Sequence, residues 1–216
     1  YPVPAVMVSC KKPGERSNII TVAWAGTVCS DPAMVSISVR PERYSHDIIE
    51  ETGEFVINLV TERLTRPCDW CGVRSGSEYD KFREMKLTEY VSEFMDTPAI
   101  AESPVNIYCK VIKTEHLGSH DMFIGEVKGV TVDDSFMDDK GRFALEECGL
   151  ITYSHGEYYA LGRKLGKFGY SVKKSPVKPV NKKRSKSKPA KEIKNIQYKR
   201  TTKSKIEERD HAWTGT

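Results

Sequence analysis

Short runs in which apolar and small polar residues alternate recur along most of this chain. In residues 35–39, Val-Ser-Ile-Ser-Val repeats with period two, which is typical of a half-buried strand. Similar runs occupy residues 3–9, 19–25, 54–59, 105–113 and 122–132. Many short strands separated by turn residues indicate a mainly β fold, either a barrel or a sandwich.

Helical signals are few. Ser45 is placed to cap a short helix that runs through Thr52, with Gly53 just beyond its C-terminus. A second, irregular helical stretch is expected over residues 61–64, before Pro67 interrupts the helix. The chain is therefore predicted to be mainly β with a few short helices.

Charge divides the chain into two parts. Residues 172–216 carry 15 lysines and arginines against 4 acidic residues, whereas residues 1–171 carry 19 against 26. A segment so charged and so poor in apolar residues cannot bury enough surface to offset its ordering entropy. We therefore expect a globular domain over residues 1–174 and a polybasic, disordered extension over residues 175–216.

The sequence lacks the signatures of several classes of protein. No run approaches the roughly 18 apolar residues of a membrane span, and no secretory segment is visible, so we expect a cytoplasmic protein without membrane association. The glycine-rich fingerprints of Rossmann and P-loop proteins are absent, as are G-x-S-x-G and H-E-x-x-H. Any nucleotide must be held by other means.

Two of the six cysteines, Cys68 and Cys71, form a C-x-x-C pair. A redox dithiol of the thioredoxin type expects a βαβ setting, which this sequence lacks. A zinc site would need two more ligands, and His116 and His120 lie too far along the chain for finger spacing. We interpret the pair as structural, with a redox or metal role as the alternative.

One segment has the composition of an anion site. The strand at residues 35–39 leads directly into Arg40 and Arg43, and then into Ser45 at the expected helix start. Guanidinium groups, a hydroxyl and free helix N–H groups together suit a phosphate. The alternative is a solvated turn that carries two arginines.

A second segment suits a flat ligand. After the run at residues 19–25, Trp24 is followed by Ala25, Gly26 and Thr27, and glycine lets a backbone approach a ligand closely. The alternative is an ordinary strand and turn with a packed tryptophan.

In order and spacing, these segments resemble the flavin reductase-like FMN-binding proteins, with flavoredoxin as the closest type. The resemblance covers residues 1–174. It is carried by Asn18…Thr21…Trp24-x-Gly26, Asp31-Pro32, Arg40-Pro41-x-Arg43-Tyr44-Ser45, Cys71-Gly72-x-x-Ser75-Gly76, Asp80-Lys81-Phe82, His120-x-x-Phe123-Ile124-Gly125 and Gly166-Lys167-Phe168-Gly169-Tyr170-Ser171.

The resemblance implies a Greek-key split β-barrel that binds FMN non-covalently and forms a homodimer. The residues that would face the phosphate and ribityl chain are Asn18, Thr21, Arg43 and Ser45, with Arg40 as a second phosphate partner. The backbone of Trp24, Ala25, Gly26 and Thr27 would line the ring. Lys81 would contact the phosphate or ring edge, and His120 and Tyr153 would lie beside the flavin.

The predicted function is that of an FMN-dependent oxidoreductase that takes electrons from NAD(P)H or from a redox protein. No side chain is assigned as a catalytic nucleophile or base, because the flavin carries the chemistry. One alternative is an FMN-binding electron-transfer protein without pyridine-nucleotide activity. The other is a nucleic-acid or polyanion binder that acts through the basic extension.

Overall fold

The computed structural model describes residues 1–173, so the expected extension over residues 175–216 lies outside the described residues. Strands dominate, as the alternating runs predict. They are β1 (Val3–Pro4), β2 (Val6–Cys10), β3 (Asn18–Val22), β4 (Ala25–Ser30), β5 (Ala33–Val39), β6 (Glu54–Leu59), β7 (Glu89–Ser92), β8 (Met95–Ile100), β9 (Val105–His116), β10 (Asp121–Val132), β11 (Ile151–Ser154) and β12 (Glu157–Ala160). The helices are α1 (Tyr44–Thr52), α2 (Thr65–Val73) and α3 (Lys81–Met85), with 3₁₀ turns at Glu62–Leu64, Asp134–Phe136, Leu145–Glu147 and Tyr170–Val172.

The main sheet is antiparallel and has seven strands in the order β3-β2-β6-β9-β10-β5-β4. It curls, so that Ile20 of β3 and Ile37 of β5 pack into one apolar core. Ile48 and Ile49 of α1 pack into the same core. The curl brings the ends of β3 and β5 close together.

A second core lies on the other face of β2 and β3. Because successive side chains of a strand point to opposite faces, Val6 and Val8 enter the first core while Met7 enters the second. Cys68 and Cys71 of α2 pack there with Phe82 of α3. The same core includes Ile151 of β11, which pairs with β1 and β12 in a three-stranded sheet.

The helix that follows β5 begins one residue earlier than Ser45. Arg43 is its N-cap residue and makes no side-chain cap hydrogen bond, so the prediction of Ser45 as the cap is wrong. Ser45 is instead buried in the first turn, where its hydroxyl contacts Asn18. The C-terminal end is as predicted, since Gly53 has a φ of 66° and its N–H donates to the carbonyl of Ile49.

Pro67 does not interrupt the second helical stretch. It lies third in α2, within the first turn, where backbone N–H groups have no intrahelical acceptor. The helix therefore extends past Pro67 to Val73 and carries both cysteines of the C-x-x-C pair.

Residues 1–165 form one compact unit, and a second begins at Gly166, of which residues 166–173 are described. Among the described helices, none has the length and apolar character needed to cross a membrane.

Candidate functional site

A cleft of about 130 Å³ opens where β3 and β5 end beside α1. It contains five of the residues predicted to bind a cofactor, although they come from three separated parts of the chain. The cleft is lined by Ile20, Thr21, Val22, Ala23, Trp24, Ser38, Val39, Arg40, Arg43 and His120. The curl of the sheet creates it.

Positive charge dominates one wall of this cleft. Arg40 and Arg43 are both exposed, and Arg40 lies 3.4 Å from the carboxylate of Glu42. Arg43 also marks the start of α1, where the helix dipole favours an anion. This wall can hold a phosphate group.

His120 also lines this cleft, and its Nδ1 lies 3.0 Å from the hydroxyl of Ser119. Partial burial lowers the pKa of His120, and the nearby charges of Arg40 and Arg43 lower it further. The imidazole is therefore neutral at pH 7 and can act as a hydrogen-bond donor and acceptor.

A larger cleft of about 400 Å³ adjoins the first and shares Ala23, Trp24 and Ser38 with it. Its remaining lining residues are Tyr1, Pro2, Val3, Pro4, Ala25, Gly26 and Ser36. β4 forms an edge of the main sheet, and Trp24 is 52% exposed. Within residues 1–173, no atom lies within 4 Å of a Cβ built on Gly26. The Trp24–Gly26 backbone is thus open to a flat ligand, whereas Thr27 follows it on β4 without lining either cleft.

Asn18 and Ser45 are buried and line neither cleft. Asn18 is 2% exposed and its Nδ2 donates to Ser45 Oγ at 2.7 Å. A Cβ placed on Gly76 would be only 2.0 Å from Asn18 Oδ1, so the loop at residues 75–76 packs directly on this side chain. The pair fixes the first turn of α1 to β3.

Lys81 is also buried, with 3% of its surface exposed. Its ammonium donates to the carbonyl oxygens of Ile19 and Cys71, each at 2.7 Å. Burial lowers the pKa of Lys81 to about 8. In this arrangement Lys81 joins β3 to α2, and a flavin contact by Lys81 stays a prediction.

Thr21, like Lys81, makes a side-chain hydrogen bond to a backbone carbonyl of α2. Its hydroxyl donates to the carbonyl of Cys68, and its Cβ would lie 3.1 Å from a Cβ on Gly72. Thr21 therefore holds α2 against β3 and also lines the smaller cleft.

Tyr153 is not brought to either cleft. It lies on β11 opposite Val3, and its ring is 5.4 Å from that of Tyr158 in the second core. Its assignment beside the flavin stays a prediction.

Several groups at the site carry no signal in the sequence. Tyr1, Pro2 and Pro4 line the larger cleft, and β1, which includes Pro4, pairs with the distant β11. His46 and Asp121, the chain neighbours of Ser45 and His120, form a buried pair 2.9 Å apart. No local pattern signals a contact across 75 residues.

Comparison with known proteins identifies the family of the chain. The model of the flavin reductase like domain matches residues 1–162. The chain belongs to the flavin reductase-like domain family. The predicted family and the split-barrel fold are therefore confirmed.

Individual members of the family are similar over most of the chain. The structure of flavoredoxin from Desulfovibrio vulgaris (Miyazaki F) is 34% identical, with a TM-score of 0.75 over 80% of this chain and 94% of that chain. Flavoredoxin from Methanosarcina acetivorans, at 23% identity, has a TM-score of 0.72 over 80% and 94% of the two chains and supports the fold. An uncharacterized Archaeoglobus fulgidus protein is 32% identical over 126 residues, which cover 58% of this chain and 71% of that protein.

Proposed function

We propose that this protein is an FMN-dependent oxidoreductase of the flavin reductase and flavoredoxin type. The observation that carries the proposal is the pairing of two adjoining clefts, one walled by Arg40 and Arg43 and the other floored by the open backbone of Trp24 and Gly26. A phosphate and a flat ring joined by a polyol chain match this pair in charge and shape.

The residues present fit FMN. The volumes of about 130 and 400 Å³ together fall in the range of roughly 300–1,000 Å³ that is usual for cofactor sites. Arg43 and the N-terminus of α1 would hold the phosphate, with Arg40 as a second partner. The open space over Gly26 leaves room for the ring. When bound, FMN would supply the redox chemistry that side chains lack.

The chain's own groups would bind and orient this cofactor. Asn18 holds the Ser45 hydroxyl beside the first turn of α1, and Lys81 and Thr21 hold β3 against α2. Trp24 lines both clefts, and the neutral His120 offers one N–H to a ligand. These groups position a cofactor, and none of them must act as a nucleophile.

The cofactor assignment is tested by comparing FMN with riboflavin, which lacks the phosphate. A charge-assisted hydrogen bond contributes roughly 1.5–3 kcal/mol, so FMN should bind about ten- to a hundredfold more tightly in a fluorescence titration. Arg43→Met should remove most of this preference. The control Arg83→Met changes an exposed arginine of α3 outside both clefts and should not. Equal affinity for the two flavins would contradict the phosphate site.

The electron donor is proposed to be NAD(P)H or a redox protein. Measuring the steady-state oxidation of NADH and NADPH in the presence of FMN distinguishes a nucleotide donor from a protein donor. FMN binding without oxidation of either nucleotide would favour the electron-transfer alternative. We also propose a homodimer, for which a dimeric mass in light scattering with FMN bound is the expected result.

A further inference from the structure

One buried ion pair joins two of the three segments that line the cleft walled by Arg40 and Arg43. His46 of α1 is 4% exposed and Asp121 of β10 is 5% exposed, and His46 Nε2 lies 2.9 Å from Asp121 Oδ2. His46 directly follows Ser45, and Asp121 directly follows His120. The pair therefore links the helix start that carries Arg43 to the loop that carries His120.

The surroundings of His46 favour its doubly protonated form. A carboxylate can only accept a hydrogen bond, and His46 faces one at each ring nitrogen: Asp121 at Nε2, and Asp47 at Nδ1 at 3.2 Å. Glu50 lies 3.7 Å from Nδ1. Burial opposes the charge, but these carboxylates outweigh it and raise the pKa of His46.

Neighbours from two strands complete the environment of the pair. His116 at the end of β9 places its Nδ1 3.0 Å from the same oxygen of Asp121. On β10, Phe123 packs on the His46 ring with centroids 5.3 Å apart. The hydrogen bond to His46, followed by that to His116, lowers the pKa of Asp121, which therefore stays ionised.

We propose that His46 and Asp121 are positioning residues that hold the start of α1 against the His120 loop and thereby set the affinity of the cleft for the phosphate of FMN. This inference rests on the proposed function. Arg43 and His120 both line this cleft. The contact between His46 and Asp121 is buried, and its two residues directly follow Ser45 and His120 in the chain. If the pair is broken, the binding-competent arrangement is populated less, and the apparent Kd rises in inverse proportion to that population.

The test compares His46→Gln with a matched control. Gln keeps a hydrogen-bond donor but cannot carry the charge. The control His116→Gln removes the other histidine from the same carboxylate, and that histidine lies on β9, which does not contribute to the cleft. We expect His46→Gln to weaken FMN binding about tenfold and riboflavin binding less than about twofold. His116→Gln should change both by less than about twofold.

A second variant, Asp121→Asn, should give the same loss of FMN affinity. The double variant should bind FMN no more weakly than either single variant, because both changes break one contact. The pair contributes while His46 is protonated, so its contribution is present at low pH and is lost as the pH rises through the raised pKa of His46. The FMN affinity of the wild type should therefore fall relative to that of His46→Gln over that interval.

The outcomes separate this inference from the proposed function. If the wild type binds no FMN, the proposed function fails and the inference fails with it. If the wild type binds FMN but His46→Gln binds it equally well, or loses riboflavin to the same extent, the inference alone is overturned. Failure of both His46→Gln and Asp121→Asn to fold, judged by circular dichroism, would make the pair a folding determinant and would also overturn it.

Discussion

Asn18 is a single buried polar residue that connects β3 to the first turn of α1. Its Nδ2 donates to Ser45, while its Oδ1 has no hydrogen-bond partner among residues 1–173. A buried acceptor without a partner costs roughly 1–3 kcal/mol, and a structure accepts this cost where the side chain is needed in one position. Asn18 therefore ties the geometry of the phosphate wall to the packing of the loop at residue 76.

This dependence predicts a strong effect of Gly76→Ala. The added Cβ would lie 2.0 Å from Asn18 Oδ1 and must displace a buried side chain. Overpacking of this kind costs about 1–3 kcal/mol, and the FMN affinity should fall as well, because Ser45 loses its partner. Urea unfolding and fluorescence titration measure the two effects.

The matched control is Gly162→Ala, where no atom of the described part of the chain lies within 4 Å of the added Cβ. It should change the free energy of unfolding by less than about 0.5 kcal/mol. Equal stability of the two variants would show that the loop at Gly76 yields without disturbing Asn18.

At the scale of elements, α2 packs its C-x-x-C pair inward. Cys68 and Cys71 both lie in the second core, and the carbonyl groups of the same two residues accept hydrogen bonds from Thr21 and Lys81. Burial raises the pKa of Cys68 to about 12 and that of Cys71 to about 11. Both thiols are therefore protonated at neutral pH, which favours the structural interpretation of the pair.

The native protein should accordingly expose one reactive thiol to Ellman's reagent at pH 8. Burial also raises the pKa of Cys10, Cys109 and Cys148, and Cys29 is the one half-exposed cysteine among the six. Cys29→Ser should abolish the fast phase, whereas Cys148→Ser should leave it unchanged. Two or more fast thiols per chain would show that α2 opens readily from β3.

At the scale of the whole molecule, the charge division predicts that the basic extension is dispensable. Residues 172–216 carry 11 net positive charges and residues 1–171 carry 7 net negative charges, so a long-range attraction exists at low salt. At physiological salt the Debye length is about 8 Å, which leaves such attraction weak. Removal of the residues after Lys174 should therefore leave folding and FMN affinity nearly unchanged.

The truncated and full-length chains are to be compared in melting temperature and FMN affinity at low and physiological salt. A loss of bound flavin, or a fall in melting temperature of more than about 4 °C at physiological salt, would contradict the domain boundary. Nucleic-acid binding that depends steeply on salt and disappears with the extension would support the polyanion alternative for that segment.

The sequence by itself was sufficient for strands β2, β3, β5, β6, β9 and β10, for the C-terminal end of α1 before Gly53 and for the family. It did not predict β4, β7, β8, β11 or β12. Period-two alternation and a glycine beyond a helix are local signals, and the ordered motifs from Asn18 to His120 are carried by the chain directly. Local signals are less reliable at helix starts. Ser45 and Pro67 are residue types that often mark the boundary of a helix. In the structure both lie inside the first turn of a helix and mark no boundary.

Only the tertiary structure decided which predicted residues meet. The curl of the main sheet brings Thr21, Trp24, Arg43 and His120 to one cleft, while Lys81 turns inward to two carbonyl groups and Tyr153 packs in the second core. The contact between His46 and Asp121 likewise depends on the closure of β5 and α1 against β10. Such contacts join residues far apart in sequence, and the free energy that selects them comes from burial of the whole sheet, which no local pattern contains.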